Sequence, residues 1–172
     1  MASTKKTTIK PVSLGYRPVG SLDNVQYTTC MGLAKGFSIT QDAPDEQAVD
    51  AEFYDSPFAY IYKGKPIVMN FDLVNYTLEE IKALFGGTYT AADATHDETL
   101  EGSTVATPSE FEWKVSFQQG NPDFIIYKGS TIGTIKKDAD GAMAYTVKIT
   151  SQVYNDGTKD LVYKILGDPK TA

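Results

Sequence analysis

The chain has 172 residues, 41% of them hydrophobic and 22% charged, which excludes a wholly disordered polypeptide and suits one domain with a genuine core. Its net charge of −6 excludes tight wrapping around nucleic-acid phosphates, because the only basic cluster is Lys5, Lys6 and Lys10. One cysteine, Cys30, excludes an intramolecular disulfide and a cysteine-rich zinc site, and no apolar run approaches membrane-spanning length.

Eleven Tyr, eight Phe and frequent Thr lean the composition toward β-structure. In chain order, residues 1–20 hold Thr, Lys, Pro and Gly without periodicity and read as an N-terminal arm or edge strand. They lack the apolar core of a signal peptide, so synthesis and retention in a reducing cytoplasm is expected. QYTTCMGLAKGFSITQ (26–41) reads as a strand or hairpin interrupted by Gly32 and Gly36. DAPDEQAVDAEFYDSP (42–57) is acidic and ends on proline, and reads as an exposed loop or extended excursion. FAYIYKGKPIVMNFDLVNY (58–76) holds two apolar runs around Gly64, which suggests a hairpin. In the second run Ile67, Met69, Phe71 and Leu73 alternate strictly with polar or smaller residues, so one face is core.

A helix is expected over residues 77–86. Thr77 and Glu80 form a T-x-x-E capping box, Tyr76 and Ile81 can form a hydrophobic staple, and Gly86 or Gly87 can end the helix. Leu78, Ile81, Leu84 and Phe85 make one apolar stripe that must pack on a sheet. Residues 88–109 are polar and Thr-rich and read as a long loop. EFEWKVSFQ (110–118) places Phe111, Trp113, Val115 and Phe117 on one face. FIIYK (124–128) and TIGTIKK (131–137) read as two strands pairing across Gly129. MAYTVKITSQVY (143–154) alternates, NDG (155–157) signals a hairpin, and LVYKIL (161–166) closes the sheet. The sum is a single mainly β domain over residues 1–172: an antiparallel β-sandwich or partly open barrel flanked by one short α-helix.

Catalytic, metal-binding and cofactor signals are missing. His96 lies in DATHDE beside Asp93, Asp97 and Glu98, at a spacing that matches no metal motif. Cys30 has no partner histidine nearby in sequence and reads as a small buried hydrophobe. KKDADGAM (136–143) resembles only the start of a calcium loop, and the later ligands are missing. No nucleophile elbow, phosphate-binding loop or dinucleotide fingerprint occurs. The expectation is a protein that is not an enzyme, takes no cofactor and works through its surfaces.

An alternating strand (KPIVMNFDLVNY), a short helix ending in two glycines (TLEEIKALFGG), a polar loop and an alternating aromatic strand (EFEWKVSF) follow one another. Over residues 35–165 this order resembles the major tail, or tail tube, proteins of bacteriophages, which are related in architecture to type VI secretion tube proteins. The acidic stretch ITQDAPDEQAVDAEFYDSP is similar to the long loop that family places between rings, making Phe53, Tyr54, Asp55 and Phe58 candidate assembly residues. The resemblance implies hexameric rings stacked into a hollow, commonly acidic tube through which DNA passes without specific binding. It implies a virion location after synthesis in a bacterial host cytoplasm, and no membrane insertion. The implied partners are further copies of the chain and tape-measure, tail-terminator and tail-tip proteins. The arm (1–20) and the loops (42–57 and 88–109) become assembly elements. The alternatives are a carbohydrate- or small-ligand-binding β-sandwich and a secretion-system tube protein.

Overall fold

The computed structural model describes residues 11–30, 34–49, 59–74, 76–102, 108–117, 122–137 and 143–167. The strands are β1 (Pro11–Pro18), β2 (Thr28–Thr29), β3 (Ala34–Gln41), β4 (Asp45–Val49), β5 (Ala59–Lys63) and β6 (Ile67–Leu73). The helix α1 (Leu78–Phe85) follows. Beyond it come β7 (Thr88–Thr90), β8 (Thr99–Glu101), β9 (Ser109–Phe117), β10 (Asp123–Lys137), β11 (Met143–Ser151), β12 (Tyr154–Asn155), β13 (Asp160–Leu161) and β14 (Tyr163–Leu166).

Eight strands form one antiparallel sheet in the order β2-β1-β9-β10-β11-β6-β3, with β14 added to the free edge of β10. Its spine is β10, fifteen residues long. One edge of β10 pairs with β9 from Phe124 to Thr131. The other carries β14 at Asp123–Ile126 and then β11 from Gly129 to Lys137. The sheet curls without closing into a barrel. Three strands separate β3 from β9 in the pairing order, yet Phe37 and Phe117 meet with ring centroids 6.2 Å apart, and Phe71 reaches Trp113 at 6.0 Å. The concave side therefore buries Ile67, Met69, Phe71, Leu73, Trp113, Val115, Val147 and Ile149. The alternation expected for residues 67–73 is present at every position. The Trp113 indole N–H donates to Thr131 Oγ1 at 3.0 Å, which satisfies the one polar atom of the largest core side chain.

The helix closes one end of this core. Its capping box is complete: the Glu80 N–H donates to Thr77 Oγ1 (3.2 Å) and the Thr77 N–H donates to Glu80 Oε2 (2.9 Å). At the other end Gly86, at φ 77°, donates its N–H to the Lys82 carbonyl. Ile81 and Leu84 are buried, and Phe85 lies stacked on Tyr145 with centroids 5.7 Å apart. The stack presses onto β10 so closely that a Cβ at Gly133 would lie 2.6 Å from the Phe85 ring.

Several expectations are corrected. Residues 11–18 are no arm. They form β1, paired on both sides and burying Leu14 and Tyr16, and its two prolines stand at its ends, where a missing N–H costs least. The runs around Gly64 do not pair: β5 returns to β4, while β6 lies between β3 and β11. Gly64 does not have the positive φ that a tight hairpin turn requires. Gly129 is likewise no turn, since β10 runs straight through it. A Cβ there would meet Ile149 Cγ2 at 2.6 Å and Trp113 Cδ1 at 3.1 Å, so the glycine permits close packing beside a register shift between Ile126 and Gly129. The loop expected over 88–109 contains the β7–β8 hairpin, and the loop expected over 42–57 contains β4. The NDG hairpin is present as β12–β13.

Placing a charge against the core at Ile81→Asp should abolish the cooperative urea transition, because an unpaired carboxylate cannot be buried there. Thr77→Ala should lower unfolding free energy by about 1 kcal/mol with an unchanged denaturant slope.

Candidate interaction surface

The helix stripe faces inward, which settles its role. Tyr76 meets the Tyr145 ring edge-on at 5.2 Å, Phe85 stacks on the same tyrosine, Ile81 and Leu84 are buried, and Leu78 is half-buried. Tyr76, Thr77, Leu78, Glu80, Ile81, Leu84 and Phe85 thus belong to one cap-and-plug unit. Phe53, Tyr54, Asp55 and Phe58 lie outside the described residues.

What leads into and out of that segment is described. The β4–β5 ribbon has full register from Asp45↔Lys63 to Val49↔Ala59. It forms a separate two-stranded sheet. All of its described side chains are exposed, among them Val49, Tyr60 and Ile61. Its base is held by a Lys65–Asp45 ion pair and by the Gln41 side-chain N–H donating to the Lys65 carbonyl. The ribbon therefore has a fixed root and an unburied body.

The convex face of the main sheet carries three ion pairs. Lys114 pairs with Asp123 (3.2 Å), Lys128 with Glu110 (3.2 Å) and Lys136 with Asp72 (3.6 Å). Beside them sits a buried group that the strand alternation hides. Arg17 Nε and Nη2 both donate to Glu112 Oε1, at 3.1 and 2.8 Å. The Tyr27 hydroxyl donates to the same oxygen, and its ring lies under the guanidinium at 4.4 Å. The Arg17 Nη1 donates to the carbonyls of Leu22 (3.2 Å) and Val25 (2.8 Å). One guanidinium thus fastens residues 19–27 over the outside of β1 and β9. Burial first, then the hydrogen bond to Glu112, pushes the Tyr27 hydroxyl far above its usual range. No sequence signal joins residues 95 positions apart.

The negative charge collects elsewhere. Residues 77–102 carry Glu79, Glu80, Asp93, Asp97, Glu98 and Glu101 against Lys82 alone, a net −5 with His96 neutral, and residues 42–57 carry six carboxylates with no Lys or Arg. Tyr89 gathers part of the first group. Its hydroxyl donates to Glu98 at 2.7 Å, and that bond, with Glu79 also facing it, pushes the phenol up to about 12. Between α1, the β7–β8 hairpin and β10–β11 lies a groove of about 560 Å³ lined by Ile81, Phe85, Leu100, Ile132, Ile135 and Tyr145, among others.

His96 closes an exposed turn in which Asp93 Oδ1 accepts the N–H groups of Thr95 (2.7 Å) and His96 (2.8 Å). Those bonds hold the Asp93 carboxyl below its ordinary range. Among the described residues no three His, Cys, Asp or Glu side chains converge on a metal-sized point. Cys30 packs against the core, and its N–H donates to the Leu14 carbonyl.

Arg17→Met or Glu112→Gln alone should cost about 3–5 kcal/mol in chemical denaturation, and the Arg17→Met/Glu112→Leu double variant should cost less than the two singles added, because no orphan charge remains. Burial, with Glu80 adding to it, pushes the Cys30 thiol up from 9.0 to about 12. The raised value favours the protonated thiol in the folded state. Its contribution is therefore complete below about pH 9 and is lost as pH rises toward 12. At pH 8 iodoacetamide should label the native chain at least ~100-fold more slowly than the urea-unfolded chain, since the thiolate is the nucleophile. The functional reading of these surfaces rests on residues and geometry, because the sequence matches no protein-family model and has no significant match among curated proteins.

Proposed function

We propose that this chain is a structural, self-assembling protein of the phage tail-tube kind, whose copies join into hexameric rings that stack into a conduit for DNA in a virion tail. The observation that carries the reading is the β4–β5 ribbon. A two-stranded ribbon standing alone is marginal in water, yet this one has full register with Val49, Tyr60 and Ile61 left exposed. Such a ribbon gains its missing cover from another molecule, and Phe53, Tyr54, Asp55 and Phe58 continue it in sequence.

Two further features support the reading. The open sheet leaves β2, β3 and β14 with unpaired edges among the described strands, and such edges join copies side by side when a rotation closes the ring. On the convex face Lys114, Lys128 and Lys136 are paired with carboxylates, so these three lysines offer phosphates little uncompensated positive charge. DNA can slide along such a wall without being held. Tape-measure, tail-terminator and tail-tip proteins are the further partners that this role requires.

Electron microscopy of the concentrated protein should show six-fold rings or tubes. Tyr60→Ser/Ile61→Ser should leave the monomer's thermal transition within about 2 °C, because neither side chain is buried, while raising the concentration needed for assembly on the order of tenfold or more. A wild-type chain that sediments as a monomer at every concentration, even with a tail-initiation complex present, would sink the reading.

A further inference from the structure

We propose that the Asp156–Gly157 linkage is a latent site of aspartate isomerisation, and that the Asn155 side chain holds it closed. The inference is independent of the self-assembly reading.

The site lies in the turn of the β12–β13 hairpin, within the described residues 143–167. The turn demands this residue pair. Gly157 sits at φ 91°, a conformation that any side chain would strain. Asp156 Oδ1 accepts the N–H groups of Thr158 (2.8 Å) and Lys159 (2.9 Å), and the Asp156 N–H donates to the Lys159 carbonyl (3.2 Å). The same pair is chemically weak. With no Cβ on the following residue to obstruct it, the Gly157 nitrogen can attack Asp156 Cγ. A bond forms from that nitrogen to Cγ, and the carboxyl hydroxyl leaves as water with the amide proton. Hydrolysis of the resulting succinimide returns one water at either carbonyl, giving aspartate or a β-linked isoaspartate. Residues 155–160 are all exposed, so burial gives no protection.

Hydrogen bonding does. The Gly157 N–H carries the proton that must be lost, and it is donated to Asn155 Oδ1 at 2.8 Å. Asn155 is itself fixed, because its Nδ2 donates to Asp160 Oδ1 at 2.7 Å. Its oxygen meets a backbone N–H and its nitrogen a carboxylate, the amide orientation that satisfies both. On the other reactant, the bonds from the Lys159 and Thr158 N–H groups hold the Asp156 carboxyl below its ordinary range, in the ionised form that releases no water. They also draw it toward the nitrogens of residues 158 and 159, past that of Gly157. Both reactants are thus held in unreactive forms. Opening would matter beyond the turn. An isoaspartate adds a carbon to the backbone and disturbs the Tyr154↔Leu161 register, and Tyr154 stacks on Tyr127 with centroids 6.4 Å apart and lies against Gly20.

Incubation at pH 6 and 37 °C for several weeks tests this. Trypsin releases residues 149–159 as one peptide, separate from Asp140–Gly141, which falls in residues 138–148. Chromatography with electron-transfer fragmentation then resolves isoaspartate at Asp156. The folded chain should isomerise there on the order of tenfold or more slowly than a synthetic peptide of residues 149–159, because its hydrogen bonds must open first. Asn155→Ala should accelerate the folded chain roughly fivefold or more, with the urea transition of the main sheet retained. Asn155→Asp/Asp160→Asn exchanges the two partners, keeps an acceptor for the Gly157 N–H and a donor across the hairpin, and should stay slow. A folded wild-type chain as fast as the peptide would overturn the proposal. So would an Asn155→Ala chain as slow as wild type, or an exchanged pair as fast as Asn155→Ala.

Discussion

Position 129 has no room for a side chain. A single carbon there would press into Ile149 on one neighbouring strand and Trp113 on the other, and the remaining architecture follows from that crowding. The two neighbouring strands can close on β10 from both sides, so β10 crosses the middle of the core as one long strand. The register shift before Gly129 marks where it exchanges β14 for β11 along one edge. That exchange lets the sheet bend enough for Phe37 to reach Phe117. The concave side is then deep enough to enclose the Trp113 indole with its Thr131 partner. A flat sheet of eight strands would leave one entire apolar face wet.

The bend also separates two kinds of polar surface. On the convex side three lysines are paired with carboxylates, and a buried pair, Arg17 with Glu112, holds a loop down rather than holding strands together. A buried ion pair is weak as a source of net stability but strong as a specification of geometry, since any other loop path would strand a charge. Around the helix, by contrast, carboxylates accumulate with almost nothing opposing them. Self-repulsion there is tolerable for a solvated hairpin, and it falls further when a cation-rich surface approaches.

Legibility in the sequence followed the range of the interaction. The helix limits, its capping box and its buried stripe were readable because each depends on residues within four positions of one another. The alternation of Ile67, Met69, Phe71 and Leu73 was readable because one face of β6 is wholly core. The misread features depend on who pairs with whom. Gly64 and Gly129 look alike in the strings IYKGK and IYKGS, yet one lies between strands of different sheets and the other inside a strand. Residues 11–18 looked aperiodic because both faces of β1 are covered: Leu14 and Tyr16 inward, Gly15 and Arg17 under the Tyr27 loop. Alternation puts Glu112 on the face opposite Trp113, and the loop that Arg17 fastens makes that side an interior there. The exposed ribbon was legible as an excursion, but its strand pairing was not, because nothing local distinguishes a paired acidic segment from a free one.

The pairing of β1 with β9 sets an order in time as well as in space. As the chain emerges from a ribosome, β1 appears first among the described strands, yet its main partner begins about a hundred residues later. At roughly 5–20 residues per second that is a wait of about 5–20 s, during which Leu14, Tyr16 and an unpaired Arg17 have nowhere native to go. An early strand is thus seated late. Two prolines at its ends and the lysines upstream make it a poor template for strands of other nascent chains in the interval. For a protein whose proposed work is to join its own copies edge to edge, a first strand that resists early pairing keeps assembly waiting until the domain is complete.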